Sequence, residues 1–317
     1  GTARVCRNDD WVDLGLCPLG CDVGLQACRV PSNVDAELAD DGNGTVTIGM
    51  LDSPVHIDTD TGRIWTPNGT EHRPPGAGLD PTSGIAYAQQ TQPVGPGIGV
   101  FVMGELTIAL GVDVVVEGSR ALALLVSGNA TIDGVIYVNS EDQDPGPGGY
   151  PGGPYGTPGS GACGGAAGAG TNTGNGCSSG GGGGGHGGTG GDGGDALCDG
   201  HLGGAGGANT CGTTELVPLV GGHGGAGGAE YMSLGSSAPG SGGGGGGAIQ
   251  ISVGGTLTFG ISGQIHAGGG PGEGSDAAGG AGGGSGGGIL LEAPALVMVV
   301  GTTLAANGGG GGGGDCT

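Results

Sequence analysis

Between residues 184 and 195 the sequence reads GGH-GGT-GGD-GGD. The same three-residue register returns at 203–208 (GGA-GGA) and at 221–229 (GGH-GGA-GGA). Two glycines in three leave almost no side chain to bury, so a hydrophobic core cannot hold such segments together. A flexible linker is the simplest reading of a glycine-rich chain. The strict register counts against it, as do the cysteines set among the tracts, Cys163, Cys177, Cys198 and Cys211. Collagen needs one glycine per triplet with proline-rich partners and fits poorly. The geometry that fits is an extended left-handed helix with three residues per turn. Its glycine ridges are bare backbone, and its N–H groups bond sideways to neighbouring helices. Helices are expected near 180–195, 203–208, 221–229, 242–247, 268–274, 279–288 and 308–314. Ordering a residue costs about 1–2 kcal/mol, while a net hydrogen bond returns about 0.5–1.5 kcal/mol. Such helices are therefore expected only as a stapled bundle resting on another structure.

That other structure is legible in the rest of the chain. The 91 glycines are unevenly spread: residues 1–144 hold 20 of them, with 20 of the 29 acids and all six arginines. Short runs rich in β-branched residues recur there every 8–12 residues: T-V-T-I (45–48), G-V-F-V-M (99–103), E-L-T-I-A-L (105–110), V-D-V-V-V-E (112–117), A-L-A-L-L-V (121–126) and T-I-D-G-V-I-Y-V (131–138). A repeat then separates the all-β alternatives. Residues 257–269 and 296–308 align without a gap, 39 residues apart, matching Leu257 to Leu296, Phe259 to Met298, Ile261 to Val300 and Ile265 to Leu304. Residues 132–139 match 261–268 in the same way. Fixed-period similarity points to stacked layers that bury their apolar faces only against each other. The expected fold is all-β: a repeat-built parallel β-solenoid with glycine-rich helical bundle insertions, a β-sandwich being the second choice. The expected divisions are a cysteine-rich head (1–31), a β-rich domain (32–144), a disulfide-stapled glycine-rich insertion (145–248) and two β layers with glycine-rich loops (249–317).

Composition excludes several functions. There is no lysine, and the formal charge is −23. A nucleic-acid partner needs a basic stripe to displace counterions, and none exists here. Lysine-dependent catalysis is impossible. No apolar run approaches the roughly 18 residues of a membrane span. Nine cysteines in an acidic chain suit an oxidising, extracellular or cell-surface location. Cys6, Cys17, Cys21 and Cys28 read as two disulfides closing a small module, the zinc spacing being poor. Proximity suggests Cys163–Cys177 and Cys198–Cys211 as further pairs. Cys316 is left over as a candidate for a bond to another subunit.

Two resemblances follow from these motifs. C-P-L-G-C-D-V-G-L-Q-A-C-R-V-P-S-N (17–33) and G-S-R-A-L-A-L-L-V-S-G-N-A-T-I-D-G (118–134), followed by glycine-rich inserts, resemble uncharacterised glycine-rich secreted proteins of myxobacteria and related bacteria. That resemblance implies a surface location and no assigned activity. The triplet tracts resemble the polyglycine-II bundles of springtail antifreeze proteins and some phage tail-tip adhesins, in backbone alone.

Candidate chemistry is sparse. Asp58 and Asp60, in Asp58-Thr59-Asp60-Thr61-Gly62, resemble the start of a calcium loop but lack its third acid and distal glutamate. A hairpin turn with Gly62 at positive φ is the competing reading. Asp40-Asp41-Gly42-Asn43-Gly44 is similarly ambiguous. Residues 187–192 match part of a calcium nonapeptide, without the large apolar residue that should follow. His186, His201 and His223 sit near cysteines, yet read more simply as surface side chains. No catalytic motif is recognised and no cofactor beyond that weak calcium candidate is implied. The expectation is a non-enzymatic extracellular structural protein: a subunit of a fibre, sheath or surface layer that assembles with itself through strand edges and backbone contacts. The alternative is an adhesin or ice-binding module presenting a glycine-helix surface. A polysaccharide-active enzyme would need acids converging on one face.

Overall fold

The computed structural model describes residues 2–7, 10–16, 19–22, 27–35, 38, 42–169, 178–196, 200–229, 239–275 and 278–314, with the backbone alone for 2–7, 10–16 and 21–22. Among these residues the secondary structure is almost all strand. In the head, β1 (Thr2–Arg7) pairs antiparallel with β2 (Asp10–Leu16), and β3 (Cys21–Asp22) with β4 (Ala27–Cys28).

The remaining strands form three sheets, built layer by layer. β11 (Ile98–Met103), β12 (Glu105–Ile108) and β13 (Asp113–Glu117) make one layer, a strand to each sheet. β14 (Ala121–Val126), β15 (Ala130–Ile132) and β16 (Val135–Tyr137) stack on it in parallel. β17 (Ala248–Val253), β18 (Thr256–Phe259) and β19 (Gln264–His266) follow, then β20 (Gly288–Glu292), β21 (Ala295–Met298) and β22 (Thr303–Ala305). The layer before β11 is partial: β5 (Thr45–Ile48) pairs with β12 and β6 (Val55–Asp58) with β13, both in parallel.

Register explains the sequence pattern. Phe101, Leu124, Ile251 and Leu291 line up across the first sheet. Ile108, Ile132, Phe259 and Met298 do so in the second, and Val114, Ile136, Ile265 and Leu304 in the third. These columns meet in one apolar core. Strands of the second and third sheets alternate because their other face meets solvent. β11, β14 and β17 are buried on both faces: Val34 and Leu219 cover the outer side, over Val100, Ala123 and Leu125. Hence their near-continuous apolar sequences.

The expected pairs Leu257–Leu296, Phe259–Met298 and Ile265–Leu304 are register partners. Two expectations change. Residues 131–138 are not one strand but two, broken at Asp133-Gly134, where a Cβ on Gly134 would meet the Val112 and Ala109 carbonyls closer than 3.0 Å. Ile132 accordingly pairs with Phe259 rather than Ile261, because the corner after β18 is two residues longer.

Each layer ends in the third sheet and the next begins in the first. The connections 118–120, 138–247 and 267–287 therefore leave from the same corner. The glycine segments occupy the two long ones. β17–β19 pair directly with β14–β16, so the strands on either side of residue 145–248 belong to one stack.

The glycine segments bond sideways with a period of three. Gly180, Gly183 and His186 donate their N–H to Gly194, Gly191 and Gly188; Gly181 and Gly184 donate to Gly280 and Gly283; Gly182 and Gly185 donate to Ala166 and Cys163. One segment thus addresses three neighbours in turn, as three residues per turn requires. Likewise Gly222, Gly225 and Gly228 donate to Gly246, Gly243 and Gly240. The expected 180–195 segment is two, reversing at His186–Gly188. Residues 146–156 and 159–168, without the triplet register, also join the pattern.

Candidate functional site

Asp58 and Asp60 share one turn but face different partners. Asp58 accepts from the Asp60 and Thr61 N–H groups and from the Thr61 hydroxyl; Asp60 accepts from the Ser119 N–H and hydroxyl and pairs with Arg120. β6 pairs antiparallel with β7 (Ile64–Trp65) across this turn, and Gly62 has φ +77°, the hairpin geometry. Asp192 and Asp195 are likewise spent on the backbone, accepting from the Gly206 and Gly203 N–H groups. Among the described residues no three His, Cys, Asp or Glu side chains are grouped to hold a metal ion. Asp40 and Asp41 lie outside the described residues.

Cys163 bonds to Cys211, 48 residues away, with Cα atoms 6.1 Å apart. This overturns the pairing expected from proximity, which gave each a nearer partner. Lateral packing is the reason: 159–168 lies beside 180–186 and 203–208, and the bridge ties the chain where these segments meet. Cys28 is disulfide-bonded and faces Cys21 across the β3–β4 pair. Cys17, Cys177, Cys198 and Cys316 lie outside the described residues, as do the side chains of Cys6 and Cys21.

The histidines part company. His201 bridges to Ala196 at the end of the 188–195 segment. His186 and His223 are not surface side chains, being 7% and 2% exposed. Tyr150, His223 and His186 form a row inside the bundle, with ring centroids 4.8 and 5.5 Å apart. Both ring nitrogens of His186 and Nδ1 of His223 are buried without a partner among the described residues. Burial, reinforced by His186 and partly offset by a hydrogen bond the ring donates to the Gly185 carbonyl, lowers the His223 pKa to about 4; burial lowers that of His186 too. Triplet spacing does not reveal this, since the third residue of a Gly-Gly-X triplet faces solvent at the edge of packed segments and the interior at their centre.

The two ends of the stack differ. At the first, β7 and β8 (Glu71–Arg73) fold back antiparallel on β6, and β9 (Gly78–Leu79) and β10 (Ala86–Gln90) on β11. Val46, Ile48, Val55 and Ile57 are buried there. Arg73, also buried, gives its guanidinium to the carbonyls of Gly62, Pro74, Gly76, Gly78 and Ile85, fastening the turns that close this end. At the last layer no described residue covers the columns of the second and third sheets. Leu257 and Phe259 are fully buried, whereas their partners Leu296 and Met298 are 48% and 43% exposed; Val300 is 96% exposed. From Ala293 to Gly314 there is no charged side chain. Glu292, just before, ties the layer to the chain just after the head and to β17, accepting from Ser32, Gln250 and Ser252.

No family model, curated protein or solved structure matches this chain.

Proposed function

We propose that this chain is a non-enzymatic structural protein of an extracellular assembly, a subunit of a fibre, sheath or surface layer. In this reading the three sheets are a parallel β-solenoid, and the glycine segments are a polyglycine-II bundle inserted at one corner. The observation that carries it is the period-three network of backbone hydrogen bonds linking segments that have almost no side chains. A body whose interior is backbone offers stiffness and close approach rather than groups that transform a substrate. The Cys163–Cys211 bond supports an oxidising location. The last layer, apolar and without a charge from Ala293 to Gly314, supports assembly, since unpaired strand edges either gain a cover or pair with another chain. Only one end of the stack is open, so growth of a fibre also draws on the outer glycine segments, 188–195 and 306–314. Electron microscopy of the purified protein, with and without reductant, tests this. Extended or sheet-like assemblies are expected, and only discrete particles under every condition would overturn it.

One observation favours the second reading, an ice-binding or adhesive module. Thr47, Thr107, Thr131 and Thr258 occupy one register row on the outer face of the second sheet. The row beside it is broken by Glu105, opposite Thr45. Thermal hysteresis in freezing solutions, lost on Thr107→Lys, would place this reading ahead of the first.

A further inference from the structure

The glycine bundle has a vacant position, and its hydrogen-bonding groups specify what fills it. Segment 279–287 exchanges backbone bonds with five neighbours. It donates to 221–229 and 267–275, and accepts from 180–186, 240–247 and 306–314. Close-packed rods have six neighbours. The N–H groups of Gly280, Gly283 and Gly286, three residues apart and hence on one ridge, donate to no partner among the described residues. Gly280 and Gly283 are buried, where an unpaired N–H is rare. Segment 180–186 shows the complementary gap. It too has five neighbours, and the carbonyls of Gly181 and Gly184 accept nothing among the described residues.

Gly283 and Gly286 of the first gap and Gly184 of the second line one groove. This groove of about 530 Å³ runs between 187–191 on one side and 306–309 on the other, floored by Gly183, Gly184 and 283–287. His186, nine-tenths buried with both ring nitrogens unpartnered among the described residues, also lines it. A row of donors from one wall and a row of acceptors from the other call for an extended chain with three residues per turn. Such a chain offers a carbonyl and an N–H to each wall at every third residue. The walls are glycine backbone, so only a chain without side chains on the contact ridges can enter. From Gly283 to Gly287 the groove offers about 12 Å at roughly 3.1 Å per residue.

We propose that this groove binds an extended glycine segment of a second copy, the 306–314 segment. This rests on the reading of the glycine tracts as three-per-turn helices. Residues 308–314 are seven consecutive glycines without charge, and among the described residues their backbone bonds only to 279–287 and 267–275, leaving their outer side open. The other edge segment, 188–195, carries Thr189, Asp192 and Asp195, for which the groove supplies no cation. Because 306–314 also borders its own groove, one twofold contact lets each copy fill the other's vacancy. Ile289 of the last layer lies at the groove, so the same contact lies against the open end of the stack.

Sedimentation equilibrium of the full chain over a dilution series tests the proposal, with Gly191→Leu as the probe variant. Gly191 lines the groove, and a Cβ there meets nothing within 4 Å, so the variant plugs the groove without disturbing its own fold. The expected results are a mass approaching twice 29.3 kDa for the parent chain and monomer for the variant, with a Tm equal to that of the parent chain diluted to monomer. A parent chain that stays monomeric overturns the proposal, as does a dimer that survives Gly191→Leu. A variant whose Tm falls below that value is replaced by Gly188→Leu, judged by the same two outcomes; Gly188 also lines the groove and meets nothing within 4 Å. Amide exchange of 221–229 separates the two levels of failure. Protected amides with no dimer sink this contact alone, while unprotected amides sink the helical reading beneath it.

Discussion

At the scale of single residues, the glycines divide by what surrounds them. A Cβ on Gly182 would meet the backbone of Gly204 and Ala205 closer than 3.0 Å, whereas on Gly191 it would meet nothing within 4 Å. Gly182→Ala should therefore cost about 3 kcal/mol or more, with backbone that cannot yield. Gly191→Ala should be neutral or stabilise by about 0.4–1 kcal/mol through the unfolded chain. Urea titration of the two variants checks the contrast. Arg73 is the counterpart at the closed end of the stack. Arg73→Met strands buried carbonyls and should cost about 3 kcal/mol, and Arg73→Lys should recover little, because one ammonium cannot reach five acceptors. The buried histidine gives a pH dependence. His223 has its pKa lowered to about 4 in the fold, so its contribution is complete above the unfolded value near 6.5. It is lost as pH falls from there toward about 4, by on the order of 3 kcal/mol. The urea midpoint of the parent chain should fall over that window more than that of His223→Gln; parallel curves would contradict the assignment.

At the scale of elements, the Cys163–Cys211 bridge closes a 48-residue separation across segments that have no core. Replacing both cysteines with alanine should cost about 4 kcal/mol by loop-closure entropy, measurable as an earlier transition of the bundle than of the sheets. This bridge marks the limit of what the sequence could say. Strand positions were legible because β-branched alternation is local, and the pairing of layers because Leu257 and Leu296 fall in a fixed repeat. The disulfide partner was not, since it depends on which glycine segments lie side by side. Residues 146–156 and 159–168 escaped notice for a related reason. Proline, tyrosine and alanine break their triplet register, while their backbone keeps the lateral bonds. The hairpin turn at Asp58–Gly62 was legible from the missing third acid and distal glutamate, but the engagement of Asp60 by Ser119 and Arg120, which are distant in sequence, was not. His186 and His223 were misjudged because the same triplet position is a surface at the edge of a bundle and an interior at its centre.

At the scale of the whole molecule, two kinds of order share one scaffold. The sheets are held by apolar columns, closed by hairpins at one end and open at the other. The glycine segments leave from a single corner of that stack, so every layer fixes the starting point of the loop that follows it. This arrangement offsets the entropy that would melt a free glycine helix: each segment is anchored at one or both ends and bonded on several sides. The central claim is that these side-chain-free segments form a rigid body. Amide hydrogen exchange followed by NMR at 221–229 and 279–287, compared with β14 and β17, tests it most directly. The account predicts protection in the glycine segments of the same order as in the strands, with faster exchange at 306–314, where the outer side is open. Exchange at 221–229 and 279–287 at the rate of an unstructured chain would contradict it.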